Sequence, residues 1–305
     1  MLYPPKYWDA DADFWDEVIA DPNNPHQFYY SEADLYIHDL IRGANQVLEL
    51  GCGTGGATLK IAQQCLDLVA FDYANKMVAV AAAKLNEARV RRRVSLLLAE
   101  GTHFPFADKS IDVVFCRGAI LSYLRDPVKC LEEVRRVLRP KGKVGLDVMH
   151  SSRKRCHILK WFMVDRSEDG YYHLIELSDD GRYQTRRQWR VDREWKPPAG
   201  LELRRKIVRP PEDIHHHLRE GEKARSAYYK LEEIRRFFQQ TGFKNVMVYP
   251  LGCFSHVLSL RETQPDLVEK ARRNRDLLCQ LQKSLPHIFR LDTAPHVFVT
   301  ATKLR

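Results

Sequence analysis

Gln46-Val47-Leu48-Glu49-Leu50-Gly51-Cys52-Gly53-Thr54-Gly55-Gly56 is the stretch that decides how this chain folds. A short apolar run stops abruptly in glycines, the pattern of a buried strand entering a tight turn. Lacking Cβ atoms, the glycines let backbone pass close to a ligand. The helix expected behind them, over 56–65, adds positive potential at its N-terminus.

The same alternation continues outward. LDLVAFD (66–72) reads as a second strand, the breaker-poor stretch 74–93 as a helix, and VSLLLAE (94–100) and SIDVVFC (110–116) as strands three and four. PVKCLEEVRRVLRP (127–140) is an amphipathic helix whose end is marked by Pro140 and Gly142, and KVGLDVM (143–149) is a fifth strand. Such spacing implies βαβ units and a parallel sheet covered on both faces. After residue 150 the rhythm changes. Residues 170–191 read as a hairpin turning at Asp180-Gly181, and prolines break up 195–227. The pattern returns with a helix over 231–243, where Gly242 suits the C-cap, a strand at 244–250, a helical stretch at 265–284 and a last strand at 296–304. The expected division is 1–150, an insertion at 151–228, and 229–305 with a helical insertion at 251–290.

The chain has 305 residues, 44% of them hydrophobic and 29% charged, ordinary for a globular protein rather than a disordered one. No apolar run approaches the roughly 20 residues of a membrane span. The acidic, aromatic start does not resemble a signal peptide. Seven scattered cysteines without a C-x-x-C pair argue against disulfides and metal and for a cytoplasmic protein. Residues 1–150 hold 18 Lys/Arg against 20 Asp/Glu, so the net charge of +9 arises wholly after them. A basic second half suits an acidic substrate, nucleic acid or merely solvated helix faces.

The glycine loop satisfies two patterns. Gly51, Gly53 and Gly56 fit the dinucleotide fingerprint G-x-G-x-x-G, while Glu49, Gly51, Gly53 and Gly55 fit the E-x-G-x-G-x-G of methyltransferases. Both want an acid ending the second strand, and Asp72 serves either. Glu49 tilts the balance, because a carboxylate there repels a pyrophosphate but can hold the α-ammonium of S-adenosylmethionine. Ala99-Glu100-Gly101-Thr102-His103-Phe104-Pro105-Phe106, with Asp108-Lys109-Ser110-Ile111-Asp112-Val113-Val114 behind it, resembles G-D-A-x-x-L-P-F-x-D-x-S-F-D-x-V. Leu138-Arg139-Pro140-Lys141-Gly142 resembles L-R-P-G-G. On these residues the chain resembles class I S-adenosylmethionine-dependent methyltransferases of the ubiquinone and menaquinone biosynthesis type (methyltransferase type 11), over 46–149 and more weakly at 229–250 and 294–304.

That resemblance implies an α/β, Rossmann-like seven-stranded sheet with helices on both faces, an antiparallel last strand and an inserted substrate-side cap after strand five. It implies S-adenosyl-L-methionine as cofactor, S-adenosyl-L-homocysteine as product and a small-molecule acceptor, anionic or aromatic. Glu49, Gly51, Gly53 and Gly55 would line the methionine end, and Asp72 would take the ribose hydroxyls. Tyr73 and Met77 would flank adenine or ribose, although Met77 reads equally well as core. Glu100, standing where the family has Asp, would accept the adenine amino group, and Gly101 would offer its amide to the ring. Arg117 would face either the cofactor carboxylate or the substrate.

Transfer from a sulfonium needs mainly alignment, and a base only when the acceptor must lose a proton. His150, His103 and Tyr123, each following a strand, are the candidate bases. The aromatic residues Tyr7, Trp8, Trp15, Phe28, Tyr29 and Tyr30 read as a lid over the cofactor or as a helix packed on the sheet. In the insertion, Arg153, Arg155, Trp161, Arg186, Arg187, Trp189, Arg190 and Trp195 suit an anionic aromatic acceptor, and equally stacked RNA bases. Strand alternation would put Arg186 and Arg190 on one face and Arg187 and Trp189 on the other. A tRNA methyltransferase and a non-catalytic cofactor-binding protein are the competing readings. The first lacks an N-P-P-Y-type motif and an appended RNA-binding module. A homodimer is compatible with all of them.

Overall fold

The computed structural model describes residues 5–20, 26–64, 67–150, 229–253, 265–284, 291, 294 and 296–304, and the backbone of 163–166, 171–177 and 183–190. The strands are β1 (Gln46–Leu50), β2 (Asp67–Asp72), β3 (Val94–Leu98), β4 (Ile111–Cys116), β5 (Leu138–Met149), β6 (Met163–Arg166), β7 (Tyr171–Leu177), β8 (Tyr183–Arg190), β9 (Lys244–Leu251) and β10 (His296–Thr302). The helices are α1 (Pro5–Ala20), α2 (His26–Ile41), α3 (Gly56–Ala62), α4 (Asn75–Glu87), α5 (Pro127–Val137), α6 (Leu231–Gln240), α7 (Pro265–Arg273) and α8 (Arg275–Ser284).

Seven strands form one sheet in the order β3-β2-β1-β4-β5-β10-β9. β1 to β5 run parallel, and β10 is antiparallel to both its neighbours. The sheet is buried on both sides, as parallel strands require. On one face Leu48, Phe71, Val114 and Leu146 meet Leu131 and Val134 of α5 and Phe238 of α6. On the other, Val47, Ala70, Phe115 and Phe298 meet Tyr36, Ile37 and Leu40 of α2 and Ile61 of α3. The approach of α2 is tight enough to need a glycine: a Cβ on Gly145 would sit 2.5 Å from a Leu40 methyl and 2.9 Å from the Phe298 ring.

Several boundaries differ from the sequence expectation for local reasons. α4 stops at Glu87 because Arg89 adopts φ 59°, and residues 91–93 form a separate 3-10 turn. α5 ends at Val137, not at Pro140. Leu138 is already extended, and Lys141 and Gly142 exchange backbone hydrogen bonds with Lys303, so the Pro-Gly segment opens β5 instead of closing a helix. The 265–284 stretch is two helices, α7 and α8. Gly242 does follow α6 in the left-handed conformation, at φ 79°.

β6, β7 and β8 form a separate antiparallel sheet, which includes the expected hairpin strands and one strand more. A register shift opposite Leu174 and Ile175 leaves Arg186 as an extra residue, which breaks the simple alternation expected for 186–190. Asp180-Gly181, Arg153, Arg155, Trp161, Trp195, Cys65, Cys156 and His215–His217 lie outside the described residues, as do the side chains of Tyr7, Phe28, Arg186, Arg187, Trp189 and Arg190. Among the described residues no helix is long and apolar enough to cross a membrane.

Candidate functional site

Parallel strands carry their last residues to one edge of the sheet, and a cleft opens there. Asp72 ends β2, Gly51 follows β1, Arg117 and Gly118 follow β4, and Met149 ends β5; all of them line the cleft. Because β10 runs the opposite way, its first residue, His296, arrives at the same edge beside Met149. The glycine loop turns on Gly51 (φ 71°), Gly53 (φ 52°) and Gly55 (φ 81°), a conformation that side chains with a Cβ resist. The Asp72 carboxylate pins this loop, accepting from the Gly53 amide (3.0 Å) and the Ala74 amide (3.0 Å). Among the described residues nothing lies within 4 Å of where a Cβ on Gly53 would be.

The cleft floor carries two buried groups of opposite charge. Glu49 is 1% exposed, its Oε2 has no hydrogen-bond partner among the described residues, and burial pushes its carboxyl up to about 7. Arg117 donates from Nη1 to both oxygens of Asp34 on α2 (3.0 Å each) and lies over the Tyr30 ring, 4.6 Å from its centroid. Its Nε has no partner among the described residues. Behind the floor, Asp147 of β5 accepts from the amides of Gly118 (2.9 Å) and Ala119 (2.7 Å), which shapes the loop that carries Arg117. Burial pushes the Asp147 carboxyl up to about 6.

The walls are aromatic. α1 is tied to α4 by Asp9 on the Lys76 amide, by the Asp13–Lys76 ion pair and by Asp16–Lys84. This sets Trp8 and Trp15 beside Met77 and Ala74, with Trp8 edge-on to Tyr123 at 5.2 Å. Tyr29 and Tyr30 of α2 complete the far wall, and Tyr29 stacks on His296 at 4.4 Å. Of the N-terminal aromatics, Trp8 and Trp15 of α1 and Tyr29 and Tyr30 of α2 line the cleft, and α2 packs on the sheet.

Glu49, Gly51, Gly53, Asp72, Tyr73, Met77, Arg117 and Tyr123 are thus brought together in one cleft. Gly55 is not in it: a Cβ there would meet the Ala81 methyl at 2.9 Å, so that glycine serves the packing of α3 on α4. Glu100 is exposed and bridges to His103, and Gly101 packs toward Leu124 and Leu50; neither lines the cleft. His103 is exposed beside Thr102 and Lys129. His150 is buried with Nδ1 against the Ala294 carbonyl at 3.0 Å, outside the cleft lining. Asp34, Asp147, Met149 and His296 were not legible as site residues. The one signal was the charge of Asp147 within an apolar strand.

The strand order, the antiparallel β10 and a glycine-loop cleft at the carboxyl edge define the class: the Rossmann-like fold of class I methyltransferases. The family described as "Methyltransferase domain" matches residues 48–146. The chain is 31% identical over 123 residues to the demethylmenaquinone methyltransferase of Lactobacillus johnsonii, covering 39% of this chain and 49% of that one, so it spans about half that relative's length. It is 30% identical over 174 residues to the thiol S-methyltransferase TMT1B of Rattus norvegicus, covering 53% of this chain and 68% of the rat protein. A SAM-dependent methyltransferase structure from Thermotoga maritima superposes with a TM-score of 0.52 at 12% identity, over 98% of this chain and 99% of that one. The chain belongs to the type 11 family of class I S-adenosylmethionine-dependent methyltransferases.

Proposed function

We propose that this protein transfers the methyl group of S-adenosylmethionine to a small-molecule acceptor. The observation that carries the reading is the pair of orphaned buried atoms on the cleft floor, Glu49 Oε2 and Arg117 Nε. A buried polar atom without a partner costs about 1–3 kcal/mol, so two of opposite charge call for a ligand that is itself a zwitterion. The amino acid end of S-adenosylmethionine is one. Glu49 would accept from its ammonium, Arg117 would donate to its carboxylate, and Asp72 would take the ribose hydroxyls. Tyr73, Met77, Trp8 and Trp15 would keep water from the bound nucleoside. When bound, the cofactor supplies a methyl group already activated by a sulfonium, so the residues of the chain have to bind, orient and exclude water. That the Lactobacillus and rat relatives are named for small-molecule acceptors supports a small acceptor over RNA. Calorimetry with S-adenosylmethionine, S-adenosylhomocysteine and NAD tests the reading. Heat from both sulfur ligands and none from NAD is expected; NAD binding with no response to the sulfur ligands would overturn it.

A further inference from the structure

The charged cleft residues lie at one end of the cleft. Asp72, Glu49 and Arg117 sit on β2, on β1 and just after β4, where the cofactor would lie. Neighbouring strands are about 4.8 Å apart, so His296, two strands past β4, is roughly 10 Å farther along the edge. Beside it in the cleft are Met149, its strand partner, and Tyr29, stacked on its ring, with Tyr123 near Tyr29, and none of these is an Asp, Glu, Lys or Arg.

His296 is the unusual member. It is 4% exposed, lies on the cleft wall, and among the described residues has no hydrogen-bond partner at Nδ1. A buried imidazole nitrogen is ordinarily satisfied. Its neighbour His150 shows the contrast, being held by the Ala294 carbonyl. Among the described residues the titratable groups shown against His296 are Tyr29 from α2, stacked on its ring, and His150 after β5. Burial, with His150 adding to it, holds the His296 ring down to about 4, so it is neutral at physiological pH and a weak base, suited to taking the proton only as the methyl group arrives and the acceptor atom turns strongly acidic.

Resting on the methyltransferase reading above, we propose that His296 is the catalytic base for an uncharged, weakly acidic acceptor, a thiol or phenol on an apolar or aromatic body, bound between Tyr29, Tyr123 and Met149. The bond that forms joins the acceptor's sulfur or oxygen to the methyl carbon. The bond that breaks is that carbon's bond to the sulfonium sulfur, which keeps the electron pair and becomes a neutral thioether. The acceptor's proton passes to His296, leaving an imidazolium that water discharges after turnover. Tyr29, stacked on the ring, fixes its plane, and Met149 offers a soft contact to sulfur or to an aromatic face.

The test uses the full chain. S-adenosylhomocysteine binding is measured first by calorimetry; its absence defeats the methyltransferase reading itself and is recognised as such. Histidine side-chain nitrogen NMR then follows the complex during addition of benzyl mercaptan, 2-naphthol or thiophenol, with the His296 signal assigned by its loss in His296→Gln or His296→Asn. The proposal expects the His296 ring signal to move with at least one probe while the variants keep S-adenosylhomocysteine affinity within about threefold of wild type. Activity gives the second readout. Benzyl mercaptan is largely protonated at mildly alkaline pH and needs a base, whereas thiophenol is largely ionised and does not. His296→Gln should lower methylation of benzyl mercaptan by about 100-fold or more, the usual share of a general base, and change that of thiophenol by less than about threefold. A His296 signal unmoved by all three probes, or equal losses on both thiols, overturns the proposal.

Discussion

Asp72 works twice, and its replacement removes both jobs at once. Its oxygens hold the amides of Gly53 and Ala74 while the side chain faces the cleft, so Asp72→Ala removes both the loop's pin and the proposed ribose acceptor. Affinity for S-adenosylhomocysteine should fall about ten- to a hundred-fold, read by calorimetry on folded protein. Glu49 predicts a pH dependence. With its carboxyl near 7 in the free protein, the ionised form that would accept an ammonium becomes populated only as pH rises through that value. Affinity should therefore climb across about pH 6–8 and level off above, and Glu49→Gln should bind weakly with a flat profile. A wild-type profile as flat as the variant's would remove Glu49 from the ammonium site.

At the scale of elements, the motifs that carried the family resemblance turn out largely to hold one another. Asp112 accepts from the amides of Asn45 and Gln46 (3.0 Å each) and from Arg139 Nη1 (2.5 Å), joining the start of β1 to β4 and β5. Arg136 donates to the carbonyls of Phe104 (3.0 Å) and Phe106 (2.8 Å), and Glu133 accepts from the Phe104 amide (2.8 Å). These are scaffold contacts on segments whose pattern suggested a binding site. Asp112→Ala should accordingly cost about 1–3 kcal/mol, seen as a lower unfolding midpoint, with S-adenosylhomocysteine affinity unchanged. A variant of normal stability that no longer binds would put Asp112 in the site instead. Glu100 and Gly101 stand at the family positions for the adenine end; Glu100 is exposed beside His103, and Gly101 lies against Leu124 and Leu50.

Across the whole molecule, three buried carboxyls share one electrostatic consequence. Glu32 of α2 accepts from Gln282 of α8 (2.8 Å) and from the Gly252 amide after β9, and burial pushes it up to about 8. Glu49 is raised to about 7 and Asp147 to about 6, also by burial. A carboxyl whose folded pKa is raised keeps its proton longer when folded than when unfolded. Its contribution is therefore complete below the unfolded value and is lost as pH rises through the folded one. For Glu32 that window runs from about 4.5 to about 8. His296 works the other way: lowered from 6.5 to about 4, it favours the fold above 6.5, and that contribution is lost as pH falls through 4. The unfolding midpoint of the free protein should decline between mildly acidic and mildly alkaline pH, and Glu32→Gln should flatten that decline. A Glu32→Gln decline as steep as wild type would show that the Glu32 proton is not part of it.

The sequence by itself determined what depends on near neighbours. Short continuous apolar runs ended by turn residues, alternating with helical stretches, placed the strands of the large sheet, because burial on both faces is written in local composition. Glu49, Gly51, Gly53 and Asp72 were legible because a strand end, a positive-φ turn and a carboxylate lie within a short span of chain. Tertiary structure alone decided the rest. Gly55 stands in the glycine pattern, and only the fold shows Ala81 of α4 packed against it. Arg117 acquires its orientation from Asp34, 83 residues away, and the Pro140-Gly142 segment becomes strand because Lys303 pairs with it. His296 opens its strand, so reading strand ends along the chain passes over it. Only the antiparallel pairing of β10 with β5 carries that ring to the carboxyl edge beside Met149, since strand direction is set by what packs around the strand and not by the residues within it.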